Sequence, residues 1–203
     1  MELIYPYDPA PLIPAPKAGV PADIPAGTEF FPVVELSGLV VGRAARDYCH
    51  SGEKPLHPVV HLHIIDRYSR IYLQKRPMDK KIQPGRWDTA VGGHVSYGEY
   101  LLEALYRESY EELRFSEFNP IHLLTYEFES EIEKELINVY AAVGSFELNP
   151  DPEELDGGKW WELEDIDANI GKGVFTPNLL AFGRFEECWQ RIGLPKVCSY
   201  GNS

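Results

Sequence analysis

Glu108, Glu111 and Glu112 stand close together near the end of the stretch Gly93 to Phe115, GHVSYGEYLLEALYRESYEELRF. Acidic side chains so crowded restrict the chain more than any other feature. Ser96 followed by Glu99 reads as a capping box, because hydroxyl and carboxylate can each satisfy a backbone N–H that a helix start leaves unpaired. The spacing predicts a helix from Tyr97 to Leu113. At about 100° per residue, Leu102, Leu105, Tyr106, Ser109 and Leu113 share one face, which should lie on a sheet or core.

Glu108, Glu111 and Glu112 share a different face, with Cβ atoms about 5–6 Å apart, where like charges repel unless neutralised. Two readings follow. In one, the glutamates are a solvated acidic face on which Arg107 pairs with Glu103 or Glu111. In the other, they hold a hard divalent cation, Mg²⁺ or Mn²⁺, which prefers oxygen ligands and shares a substrate phosphate.

The full spacing favours the cation. Gly93, Glu99, Arg107-Glu108, Glu111-Glu112 and Phe115 stand at intervals that resemble the Nudix box. Two positions depart from that pattern. Ser109 stands where an aliphatic residue is usual, and Arg114 replaces a glycine, so the helix is expected to end without a left-handed residue.

A chain of 203 residues with 44% hydrophobic content can bury one sizeable core. Residues 1–28 hold seven of the 17 prolines and read as an extended arm, packed on the body or on a partner subunit of a homodimer. Residues 29–203 read as a single domain. The net charge of −13 argues against nucleic acid as a partner. Cys49, Cys188 and Cys198 lack metal-type spacing and suit a reducing cytoplasm. No apolar run approaches the ~18 residues of a membrane span, and the N-terminus lacks the regions of a signal peptide.

Taken in order, Phe31 to Gly42 reads as a strand pair broken at Ser37-Gly38, and residues 43–57 as a short helix or loop. Val59 to Asp66 and Ile71 to Lys75 read as a hairpin, with His61 and His63 on one face as structural histidines. Asp88 to Val91 reads as a short strand, Ile121 to Phe128 and Leu136 to Phe146 as a second hairpin, and Gly157 to Leu163 as a last strand. Thr176-Pro177 opens a final helix to Ile192. That helix should cover the sheet face opposite the box helix, giving an α/β fold of the Nudix type, an α/β/α sandwich with a mixed β-sheet.

Between Arg67 and Arg86 lie seven of the 19 basic residues, of which Arg76, Lys80 and Lys81 are read as docking a small-molecule diphosphate.

Within the Nudix superfamily, LHPVVHLHII, LQKRPMDKKIQPGRWDTAVGGH and EKELINVY look like the branch of isopentenyl-diphosphate isomerase and its hydrolase relatives. That resemblance implies a metal site on His50, His57, His94, Glu133 and Glu135. The isomerases need a cysteine where this chain has Gly92, and losing an acid/base partner there disfavours isomerisation.

The resemblance therefore implies a hydrolase that cleaves a nucleoside diphosphate linked to another moiety. Mg²⁺ or Mn²⁺ would sit on Glu108, Glu111 and Glu112 with a backbone oxygen at Gly93. Glu99 would align Arg107, and the general base would be Glu108 or Glu111 within the box, or Glu133 or Glu135 outside it. The alternatives are an isomerase-like enzyme and a non-catalytic nucleotide-binding module.

Overall fold

The computed structural model describes residues 27–80 and 82–182. Most of the proline-rich arm, Lys81, Cys188, Cys198 and the final helix beyond Phe182 lie outside the described residues. Among the described residues, nine strands and four helices follow one another in the order β1 Phe30–Val34, β2 Val40–Ala45, α1 Arg46–Cys49, β3 His57–Ile65, β4 Ile71–Lys75, β5 Trp87–Asp88, β6 Val91–His94, α2 Leu101–Leu113, β7 Ile121–Glu129, β8 Lys134–Val143, β9 Gly158–Trp161, α3 Leu163–Asn169 and α4 Pro177–Phe182. The strands form a β1-β2 pair and a seven-stranded sheet in the order β5-β4-β3-β8-β7, with β6 on β3 and β9 on β4. Antiparallel ladders and a parallel bridge from Trp87 to Phe175 make the pairing mixed, as the sequence predicts. No described helix is long and apolar enough to cross a membrane.

The chain forms two compact units, and β3, β6, β7, β8 and α2 contribute residues to both. In the first unit (Met1–Val60, Gly93–Leu105, Thr125–Asn138), β1 and β2 pair antiparallel around a turn at Gly38, whose φ of +83° is costly for any residue with a Cβ. Val34 N donates to Leu56 O and Tyr97 N to Phe30 O, so β1 is fastened at both ends. Its Phe31 is fully buried.

The box helix begins at Leu101, not Tyr97. Gly98, at φ +95°, interrupts any helical path from Ser96. The Glu99 carboxylate still takes the Ser96 N–H at 2.9 Å, and one turn later Glu103 takes the Tyr100 N–H at 2.9 Å. The reciprocal carboxylate of a capping box thus appears twice, and the second occurrence starts the helix. Leu102, expected on the core face, is 41% exposed, while Ala104 and Leu105 are fully buried.

In the second unit (His61–Gly92, Tyr106–Leu124, Val139–Ser203), β4 carries most of the architecture. It pairs with β3 through Ile64↔Tyr72 and Ile65↔Ile71, with β5 through Gln74↔Asp88, and with β9 through Tyr72↔Trp160 and Gln74↔Gly158. The β3–β4 turn is tied by Asp66, which accepts N–H groups of Tyr68 and Arg70 and pairs with the Arg70 guanidinium. The strand expected over Asp88–Val91 is two strands. Thr89 separates them, taking its neighbour's carboxylate on its N–H at 2.9 Å and donating its hydroxyl to Val91 O at 3.0 Å.

The end of α2 differs from expectation. Arg114 adopts φ +52°, the left-handed conformation that glycine usually supplies, at a cost of about 1–2 kcal/mol. Its N–H reaches Tyr110 O at 3.0 Å, while Asn149 N and Asp151 N cap the carbonyls of Leu113 and Glu112 at 2.9 and 2.8 Å. The loop after β8 supplies the cap that the local sequence lacks.

Candidate functional site

Two groups of polar residues stand out, each within its own unit. In the second unit, the last turns of α2 present the three box glutamates differently. Arg107 Nη1 donates to Glu108 Oε1 at 2.8 Å and to Glu111 Oε2 at 3.1 Å, so one guanidinium orients both. The Glu111 side chain is 51% exposed and that of Glu108 only 16%.

Glu112 is half-buried. Its Oε2 accepts from Gln74 Nε2 at 3.2 Å and from Gly92 N at 3.4 Å. Burial, and then the charge of Glu108, push its carboxyl well above the ordinary carboxylate range; the Gly92 N–H opposes this, and Asp88 and Glu154 add to it. A carboxylate so placed is costly until a cation shares it, which makes the donor set suited to a hard divalent ion.

Two of the basic residues before the box, Arg76 and Lys80, are engaged within the protein. Arg76 gives Nε and Nη2 to Ile82 O at 3.1 and 3.0 Å and faces Asp88 at 3.5 Å. Lys80 pairs with Glu154 at 3.3 Å on the surface.

Sequence reasoning missed Gln74 and Asp88. Asp88 Oδ1 accepts the Thr176 hydroxyl at 2.6 Å, and that hydroxyl also caps α4 by taking the Leu179 N–H at 3.3 Å. The available signal was a polar residue ending the apolar run Ile71–Leu73.

The first unit gathers His50, His57, His94 and Glu133, one ligand atom of each lying within 4.8 Å of the others. His50 Nε2 stands 3.2 Å from both His94 Nε2 and Glu133 Oε2. Glu135 is more distant, 4.0 Å from His94 Nε2. His57 Nδ1 donates to Pro55 O at 2.9 Å, which fixes the tautomer. Its Nε2 is therefore a lone-pair site, buried and without a hydrogen-bond partner among the described residues.

Burial lowers the His57 pKa, the Pro55 carbonyl opposes this, and His50 and Arg46 lower it further, so the ring stays neutral as a ligand must. Phe31 stacks on His94 at 4.4 Å with 5° between planes, and on His57 at 5.4 Å with 21°. Three imidazoles, one with an unsatisfied inward nitrogen, and a carboxylate fit a borderline divalent cation. Gly93 and Glu99 also belong to this unit.

A family model for the NUDIX domain matches residues 55–179. Isopentenyl-diphosphate Delta-isomerase of Leifsonia xyli subsp. xyli is 31% identical over 148 residues, covering 69% of this chain and 78% of that protein. An uncharacterized Nudix hydrolase of Yersinia pestis is 27% identical over 152 residues, 75% of this chain and 82% of its own. Among solved structures, DR0079 from Deinococcus radiodurans superposes with a TM-score of 0.65 at 23% identity, covering 81% of this chain and 99% of that one, a likeness of fold.

Proposed function

This chain belongs to the NUDIX family and is a Nudix hydrolase, and we propose that it cleaves the diphosphate linkage of a nucleoside diphosphate joined to another moiety. The observation that carries this reading is Glu112, a half-buried carboxyl set against Glu108 with two N–H donors on a single oxygen.

Glu108, Glu111 and Glu112 would hold Mg²⁺ or Mn²⁺, and a cation held there would supply a water of lowered pKa and charge to balance the phosphoryl oxygens. Arg107 keeps Glu108 and Glu111 oriented through its shared Nη1. Glu111, the most exposed of the three, accepts the proton of the attacking water and passes it to solvent. Lys80 meets the phosphates by exchanging its surface pairing with Glu154 for the substrate, and Lys81, the next residue in sequence, is assigned the same task. Arg76 contributes by holding the loop that carries them, through Ile82 O.

The test is hydrolysis of nucleotide sugars and dinucleoside phosphates with Mg²⁺ and with Mn²⁺. Turnover that disappears in Glu112→Gln supports the reading, whereas no turnover on any of these with either metal rejects it.

The His50, His57, His94 and Glu133 quartet favours a second reading, isomerisation of an isoprenoid diphosphate, which the name of the Leifsonia relative also suggests. Gly92 weighs against it by offering no acid. A Cβ there would meet His61 at 3.4 Å and Thr89 Oγ1 at 3.6 Å, ordinary contacts, so the space at Gly92 admits a Cβ. Solvent deuterium uptake into isopentenyl diphosphate distinguishes the two; without uptake, isomerisation is excluded.

A further inference from the structure

Gln74 ends the apolar run of β4 and is 3% exposed. A buried carboxamide is costly unless its hydrogen bonds are made. Its Nε2 donates to Glu112 Oε2 at 3.2 Å, and Gly92 N reaches the same oxygen at 3.4 Å. Among the described residues, Glu112 Oε1 takes no hydrogen bond. Both donors therefore grip one oxygen and leave the other to a different partner.

The grip is rigid because Gln74 is paired on both sides, with Asp88 of β5 and Gly158 of β9. A glutamate on a helix has three rotatable side-chain bonds, and each rotamer frozen before a ligand arrives lowers the entropy lost on binding. An amide donor has a further consequence. It holds a carboxylate without adding charge, where a lysine at the same place would compete with a cation for it.

We propose that Gln74 is a positioning residue for Glu112: its carboxamide fixes the carboxylate plane and presents the second oxygen to a divalent cation. The proposal rests on the reading of Glu112 as a metal ligand.

Mn²⁺ alone is the probe. Affinity is read from the loss of the free-ion EPR signal for the wild type, Gln74→Met, Glu112→Gln and the double variant, with the unfolding midpoint of each measured in chelator. Gln74→Met keeps length and volume but removes the donor. It is expected to weaken Mn²⁺ binding about tenfold, the lower end for loss of a partner to a ligand, and to add nothing once Glu112 is already Gln.

Wild-type affinity in Gln74→Met overturns the proposal. So does an equal loss with and without Glu112, which would mean that Gln74 acts through the fold. If Glu112→Gln itself leaves Mn²⁺ affinity unchanged, the reading of Glu112 falls and the proposal with it, a result distinct from silence at Gln74 alone. Should Gln74→Met fail to fold, Gln74→Asn retains the amide but withdraws it by one methylene. The same loss is expected there, and undiminished affinity overturns the proposal.

Discussion

The Arg114 guanidinium pairs with the Asp151 carboxylate across the end of helix α2, while the Arg114 backbone occupies a left-handed conformation at φ +52°. The arginine therefore carries strain in its backbone and an ion pair in its side chain. The two effects have opposite signs.

Replacing Arg114 by glycine relieves the strain, worth about 1–2 kcal/mol, but loses a half-exposed pair worth about 0–1 kcal/mol and loosens the unfolded chain. In the wild-type background the change in urea-unfolding free energy is expected to stay within about 1 kcal/mol. In an Asp151→Ala background, where the pair is already gone, Arg114→Gly is expected to stabilise. A decrease there would show that the left-handed residue is not strained.

Glu112→Gln removes a half-buried negative charge that faces Glu108. Without metal, the thermal midpoint is expected to rise by a few degrees, on the order of 1 kcal/mol. With Mg²⁺ or Mn²⁺, the stabilisation seen in the wild type should be absent, and turnover should fall by about a hundredfold or more. A variant that keeps metal-dependent stabilisation would place the ion elsewhere.

Burial, with a smaller contribution from His61, holds His63 at a pKa of about 3, against 6.5 ordinarily. As pH falls, the unfolded chain takes up this proton before the folded one does. The stability from a neutral His63 is thus complete above pH 6.5 and is lost between 6.5 and about 3, with a slope of up to about 1.4 kcal/mol per pH unit. Urea unfolding of His63→Leu between pH 4 and pH 7 should show a shallower slope, whatever its absolute stability. An unchanged slope would mean that His63 titrates normally.

The inward Nε2 of His57 predicts the fourth outcome. Co²⁺ titration of the wild type should develop visible d–d bands from nitrogen ligation, and His57→Ala should weaken that binding by about tenfold or more. Bands of wild-type strength and affinity in His57→Ala would remove this residue from the ligand set.

Much of this was legible in the sequence, for physical reasons that differ from place to place. The β3–β4 hairpin showed itself because apolar runs flank Arg67–Arg70, a turn that the Asp66 side chain closes locally. The box glutamates showed themselves by spacing on one helix. The start of that helix did not, because Ser96-x-x-Glu99 and Tyr100-x-x-Glu103 offer the same carboxylate bond and only the left-handed Gly98 decides between them. Its end did not either, since Asn149 and Asp151, which cap it, lie far along the chain. Gln74 gave no sign of its partner because a polar residue in a strand announces burial or exposure only when its neighbours across the sheet are known.

Phe31 comes from the hairpin, and His50 from the turn that caps the short helix α1, both of which precede residue 55, where the family match begins. Trimming the protein to that match would amputate one imidazole of three and the aromatic ring that braces the other two. Such a shortened enzyme could keep every box carboxylate and still lose its grip on a nitrogen-loving ion, so the choice of first residue is a chemical decision.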